Sequence, residues 1–475
     1  MDYAKVVEFV RSTFNMCAMN YEYYTNISSW LTWYKGYDPQ FHTVITENGE
    51  NRSQRTMYQL KMGKRVAEDW ASAVSSEPPQ IVVASPLEES SVFIQGSNST
   101  TGVLGSNNFN QLLSLSLERM FALGTSANVI AISGVAVDAA GNIVDGHRCR
   151  IHLQSYDATR IIPLSVVNGE IVDCSFMQVD GSGDQQVVIL TSHIREADGY
   201  VIYTHVLDNR YNSVSLPQGV LPVIRTKSLF PLFEVLRPNI ANNIDLESPL
   251  GISVYANAID NLKSTDQAFD ACIRDVVTGQ RIILMNKCLL KRAYDGTPVA
   301  PQDVKQTYMQ FFGDETSRNI DEYIKEFTPK LNTADLDKEL QNQLNMLSFK
   351  CGLGTHYYNF DRSGGLTATE YSGERQDFVR NVRKMNLSIS NSIARMVRVM
   401  LFIGESIIGR MVDSSANIIV TMQDGIVEDD SKAMEMDLKL VEKGIMSKVE
   451  FRMKWMAESQ EEAMRKLSLV LPVAT

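Results

Sequence analysis

Histidine, cysteine and carboxylate side chains ligate metals and move protons, and the densest such group in this chain is His147-Arg148-Cys149-Arg150-Ile151-His152. On a strand, residues 147 and 149 would share one face and 152 would take the other, so the three would not converge on a tetrahedral ion. His193 and His205, in TSHIREADGYVIYTHV, fall on what read as adjacent strands, where a cross-strand polar pair is the ordinary outcome. A metal-dependent hydrolase would have to draw on His147, Cys149, His193 or His205. Glu428-Asp429-Asp430 could hold a cation, but acids placed just before a helix serve as cap and dipole partners. Neither a metal nor any other cofactor is expected.

No G-x-x-x-x-G-K-[ST], G-x-S-x-G, H-E-x-x-H or strand-linked G-x-G-x-x-G occurs. The phosphate cradle, nucleophile elbow, zincin helix and dinucleotide turn are therefore missing, which disfavours an energy-transducing ATPase. Two groups remain. Arg375, Arg380, Arg383, Lys384, Arg395 and Arg398 cluster on one late helical segment, either as a solvated or inter-subunit face or as a phosphate contact. CGLGTHYYNFDRSGGLTATEY, from Cys351, sets His356, Tyr357, Tyr358, Phe360 and Arg362 between Gly354 and Gly364-Gly365. By itself it could be a self-packed Ω-loop.

The elements that must carry these residues can be read from periodicity. At 475 residues, 44% hydrophobic and 21% charged, the chain has the length and composition of two to four globular domains. Its N-terminus lacks the basic start and bare apolar core of a secretory signal, and no run of apolar residues approaches the roughly 18 needed to span a bilayer, so a soluble, intracellular product is expected. Six scattered cysteines without CxxC spacing predict reduced, mostly buried thiols. A net charge of −11 opposes tight sequence-independent DNA binding, though not a protein that lets DNA pass.

Leu60, Gly63, Val66, Ala67, Trp70, Ala71 and Val74 predict a helix ended by Pro78-Pro79 and followed by a strand. GSNSTTGVLGSNN (96–108) reads as loop and 109–123 as helix. From 126 to 212, β-branched runs broken by NG, DG and GN signals predict a hairpin-rich antiparallel sheet. A long helix is expected over 251–277, with Ser248 as N-cap and Pro249 in its first turn, apolar on one stripe and acidic on the other. RIILM predicts a strand, 335–347 a second helix, 376–402 a strong third one, and NIIVTM a further strand. A helix over 431–443 and another opened by the capping box Ser447-Lys448-Val449-Glu450 close the chain.

The succession of WLTWYKGYDPQFH (30–42), QRTMYQLKMGKRVAEDWASAVSSEPPQIVV (54–83), PLFEVLRPNIANNIDLESPLGISVYANAIDNLKSTDQAFD (231–270) and DGIVEDD followed by LVEKGIMSKVEFRMKW (424–455) resembles the portal, or head-to-tail connector, proteins of tailed double-stranded DNA phages, in their minor-capsid-protein branch. The resemblance spans nearly the whole chain. It implies an α+β portal fold: a mixed α/β wing (1–245), a stem helix (246–277), a small α/β clip (278–332), a second stem helix (333–350), a tunnel loop (351–366), a return to the wing (367–427) and a helical crown (428–475).

By that resemblance the protein would form a ring of about twelve copies at one capsid vertex of the virion, assembled in the host bacterial cytoplasm. It would pass double-stranded DNA without reading its sequence. The implied partners are the large terminase subunit, the scaffold and major capsid proteins and a head-tail adaptor, with no membrane. His356, Tyr357, Tyr358, Asn359, Phe360, Asp361 and Arg362 would form the loop in the channel, and Asp260, Asp266, Asp270, Lys338 and Lys350 would line the stem. Twelve helices spaced about 10 Å apart enclose a ring roughly 38 Å across, leaving about 28 Å inside their side chains, enough for a duplex of roughly 20 Å. Another virion structural or adaptor protein is the alternative, with the metal-dependent hydrolase behind it.

Overall fold

The structure is a computed structural model that describes residues 2–48, 51–97, 101–181, 186–279, 330–359 and 368–422 without a break, with strand segments between 282 and 327 and short pieces from 434 to 466. Its class is α+β. Helix α1 (Tyr3–Phe14) is capped by Asp2, α2 (Tyr23–Lys35) ends at Gly36, and the single turn α3 (Pro39–His42) has Asp38 as its cap and proline in its first position. A projecting hairpin, Thr43–Asn48 with Asn51–Thr56, follows.

Helix α4 (Met62–Val74) buries Val66, Ala67, Trp70, Ala71 and Val74, the stripe its spacing predicts. After Pro78-Pro79 the strand Gln80–Ala84 pairs with Asn417–Thr421, so residues far apart in sequence close one ribbon. Helix α5 (Glu88–Gln95) comes next. The tract expected to be loop holds α6 (Gly102–Ser106), because Val103 and Leu104 find burial there. Helix α7 (Phe109–Leu123) matches its expected span.

The β-rich stretch divides into two sheets. Ser126–Ser133 lies between Arg150–Asp157 and Phe233–Leu236. The second sheet runs Ile161–Val167, Glu170–Asp180, Val187–Glu196, Gly199–Leu207 and Ser213–Val214, with Val223–Arg225 also on Gly199–Leu207. Asn168 and Gly169 both take positive φ (53° and 79°), as a two-residue NG hairpin requires. His193 stands opposite Cys174 and Ile202, while His205 faces Leu190. The expected cross-strand histidine pair is corrected by this register.

The predicted start of the long helix at 251 is also corrected: α8 is Ile259–Thr278, preceded by a 3-10 turn, Ala256–Ala258. Ser248 and Pro249 play no part in its first turn. Residues 251–255 stay outside the helix, where Gly251 N–H donates to Thr125 Oγ1 (3.0 Å), Val254 N–H to Phe121 O (3.0 Å) and Tyr255 Oη to Trp30 O (2.9 Å). A Cβ at Gly251 would sit 2.5 Å from Gly124 O, so only glycine lets the two backbones meet. Tertiary hydrogen bonding thus outweighs helical periodicity here.

Between 278 and 332 the described strands are Ile282–Asn286, flanked by a parallel Tyr308–Phe312 and an antiparallel Ile324–Phe327, and the two-residue pair Lys291–Arg292 with Pro298–Val299. Helix α9 (Thr333–Lys350) then packs along α8. Helix α10 (Ala368–Phe402) runs on into a π-helical turn, Ile403–Ile408. By length and composition, Gln376–Ile408 could cross a membrane, yet 56% of that window is buried in the protein, with Phe378, Val382, Met385, Ile389 and Ile393 in the core. Trp70 stacks on Phe121 and meets Phe378 edge-on, joining α4, α7 and α10. The capping box forms as predicted: Ser447 N–H donates to Glu450 Oε2 (2.8 Å) and Glu450 N–H to Ser447 Oγ (3.1 Å), opening the helix Lys448–Met456. Residues 428–430 lie outside the described residues, as do 431–433, 435–436 and 442 of the expected 431–443 helix, of which 437–441 are helical.

Candidate functional site: a loop foot and a helix pair

The chain leaves α9 at Cys351 and turns sharply through Gly352 (φ 76°) and Gly354 (φ 97°), conformations that suit glycine. Four carbonyls of this turn are tied to three helices, α4, α9 and α10. Trp70 Nε1 donates to Cys351 O (2.9 Å), Asn381 Nδ2 to Gly352 O (3.1 Å), Ser348 Oγ to Thr355 O (3.2 Å) and Gln341 Nε2 to Tyr358 O (3.0 Å). Leu353 and Cys351 are both buried, and burial pushes the Cys351 thiol up to about 12.

Tyr358 reaches into the same core, where its hydroxyl donates to Asp69 Oδ2 at 2.9 Å while Asp69 Oδ1 holds Arg65 at 2.9 Å. Burial raises both groups: the phenol lies far above its ordinary range, and the Asp69 carboxyl lies above its own although Tyr358 and Arg65 pull it down. Tyr357 packs edge-on against Tyr358 and Phe378. Tyr357 and Tyr358, expected in the channel loop, instead pack their rings on the core and fix the loop's foot. His356 is exposed and Asn359 half-buried, while Phe360, Asp361 and Arg362 lie outside the described residues.

The acidic stripe of α8 is corrected in the same way. Asp260 is exposed beside Lys263 (3.4 Å), but Asp266 and Asp270 are 3% and 5% exposed. Asp270 accepts from both terminal nitrogens of Arg55 (2.8 and 2.7 Å) and from Tyr58 N–H (3.0 Å). Burial pulls its carboxyl upward, and the Arg55 and Tyr58 hydrogen bonds overcome that pull and leave it below the usual range. Asp266 accepts from Leu60 N–H (2.8 Å) and meets His42 Nε2 (3.0 Å). Since Asp38 N–H points at His42 Nδ1 (2.8 Å), that nitrogen accepts, and Nε2 is the one that carries the proton toward Asp266. The two carboxylates clamp residues 55–60 onto α8 and line no open face. Lys338, 4.0 Å from Asp335, and Lys350 are exposed on α9.

The described late basic residues have different partners. Arg395 makes a two-pronged pair with Glu234 (2.8 Å each), Arg398 donates to Ala416 O (3.3 Å) and Arg380 pairs with Asp377 (2.8 Å). Lys384 is exposed.

Of the hydrolase candidates, His147 and Cys149 sit in a turn rather than on a strand; His147 Nδ1 lies 3.2 Å from Ile408 O and His152 Nε2 2.8 Å from Ser133 Oγ. His193 is enclosed by Phe176 and Phe233, and His205 by Phe9 and Phe14. Among the described residues no three His, Cys, Asp or Glu side chains come together as metal ligands.

No protein-family model matches the chain, and no curated protein does. Among solved structures it is similar to one described as "Neck of native GTA particle computed with C12 symmetry", at 12% identity and a TM-score of 0.40, over 86% of this chain and 89% of that one.

Proposed function

We propose that this chain is the subunit of a phage portal, a ring of about twelve copies at one capsid vertex that conducts double-stranded DNA during packaging and ejection. The observation that carries the reading is one of order. Two long helices, α8 and α9, pack side by side, the stretch between them in sequence carries paired strands, and the chain leaves them through a loop whose foot is bonded to α4, α9 and α10. In a ring, paired helices of this length would form a wall, the unit between them would project at one end, and a loop held by its foot would reach toward the axis. The 20 residues of α8 span about 30 Å.

On this reading the wing is 1–245 with 367–427, the stem 246–277 and 333–350, the clip 278–332, the tunnel loop 351–366 and the crown 428–475. The clip would meet the large terminase subunit and later the head-tail adaptor, and the outer ring would meet scaffold and major capsid protein. DNA movement would be driven by that separate motor, since this sequence has no phosphate cradle of the P-loop kind. Asp266 and Asp270 drop out of the channel wall. Asp260, Asp335, Asp337, Glu339 and Lys338 supply exposed charge of both signs on the two helices, which would let phosphates pass along them without strong retention.

Native mass spectrometry with negative-stain electron microscopy on the purified chain tests this. Rings of about twelve with an open centre are expected; a stable monomer or dimer at micromolar concentration would sink the proposal.

A further inference from the structure

Beside the loop foot, α9, α10 and the 239–257 segment enclose a notch of about 290 Å³. Lys350 and Lys384 both line it, together with the amides of Asn239, Asn257 and Asn381. It opens alongside a shallower groove of about 640 Å³ that shares Asn239 and Lys384 and adds Arg237. Neither lining contains an aspartate or glutamate, in a chain where 56 acids outnumber 45 bases. A concave surface whose lining holds two lysines and no acid suits an anion on an otherwise acidic protein.

The amides are already oriented. Asn239 Nδ2 donates to Lys384 O (3.3 Å), Asn381 Nδ2 to Gly352 O (3.1 Å), and Asn257 exchanges amide hydrogen bonds with Asn243 (3.0 and 3.1 Å). Each amide nitrogen carries two hydrogens, so one remains on each to donate to a guest. Donors without acceptor carboxylates, close to two lysines, match a phosphate oxygen far better than a cation or a neutral ligand.

We infer that this notch holds a phosphate group of the nucleic-acid backbone, with Lys350 and Lys384 as its charged contacts and the amides as its orienting ones. The inference rests on the proposed passage of DNA and assigns a contact to residues outside the 356–362 loop. It involves no base, so it is indifferent to sequence.

The test is fluorescence anisotropy of a short labelled duplex on the purified full chain, across a salt series, comparing wild type, the Lys350→Gln/Lys384→Gln pair and a control pair, Lys35→Gln/Lys448→Gln, all with unchanged melting. Loss of the one phosphate contact removes about 0.9 from the slope of log affinity against log salt. On dilution from about 200 to about 50 mM salt, the notch variant should therefore gain about 3.5-fold less affinity than wild type, and the control pair should follow wild type. Equal slopes, or an equal loss in the control, overturn the inference. Inorganic phosphate protecting both lysines from acetylation while duplex slopes stay equal would overturn the nucleic acid as the source. Rings present with equal slopes refute this contact alone, whereas failure to form rings refutes the portal reading whatever the titration gives.

Discussion

Removing the carboxylate of Asp270 tests whether the clamp on α8 is an energetic feature. Asp270 takes three hydrogen bonds, two from Arg55 and one from Tyr58 N–H, and its side chain is 7% exposed against 34% for Arg55. Two unit charges about 4 Å apart attract by about 4 kcal/mol at an effective dielectric of about 20. Because a third of the guanidinium is open to solvent, screening and side-chain ordering bring the pair toward the surface value of about 1 kcal/mol or less. A coupling of about 1.5 kcal/mol lies between these bounds. Asp270→Ala should cost about 2–3 kcal/mol, since it also orphans the Tyr58 N–H, and Arg55→Ala about 2 kcal/mol, since it leaves a buried carboxylate with one donor. The double variant should cost less than the two singles together by the coupling. Urea unfolding of all four proteins at low and high salt measures the cycle, with the coupling shrinking as salt rises. Hydrogen exchange adds the local signature: amides of Thr43–Asn48 and Asn51–Thr56 should lose protection in Asp270→Ala. A coupling below about 0.5 kcal/mol at low salt, within ordinary additivity error, would refute the clamp.

Tyr358→Phe removes the donor to a buried Asp69 and should destabilise the chain by about 1–2 kcal/mol in urea while leaving the loop backbone bonds in place; no loss would mean the foot does not depend on this hydroxyl. His193 is neutral in the fold, its pKa lowered by burial to about 3 from the ordinary 6.5, so the unfolded chain takes up the extra proton and stability is lost as pH falls from 6.5 toward 3. At about pH 5 that loss is about 2 kcal/mol, and His193→Leu should be spared it; parallel pH profiles of the two proteins between about pH 7.5 and 5 would refute the assignment.

What could be read from residues alone was local. The helix Phe109–Leu123 follows from its own spacing, the Asn168-Gly169 turn from its dipeptide, and the Ser447–Glu450 box from its four residues, because each is stabilised by groups within one or two turns of itself. The same periodicity put α8 eight residues too early. Nothing within 251–255 says that its N–H groups would find Thr125 and Phe121, more than a hundred residues away. The acidic stripe misled for a related reason. A helical wheel can say that Asp266 and Asp270 share a side with other acids, but whether that side meets water or the guanidinium of Arg55 is decided by a segment over two hundred residues upstream.

The aromatic loop shows where composition stops being informative. Glycines and tyrosines at 352–358 are equally suited to a free surface and to a packed foot. What settles Tyr358 is Asp69, whose sequence neighbourhood, a charged position on a strongly amphipathic helix, marks it as a solvent-side residue. A carboxylate on the buried face of a helix needs a donor from elsewhere in the chain, and a tyrosine needs an acceptor when it is buried. Sequence exposes each need separately; only the fold brings the two together. The contact that fixes the foot in this way leaves His356 exposed among the described residues of the loop, while Cys351 and Gly352 at its start line a notch with two lysines that no local motif announces.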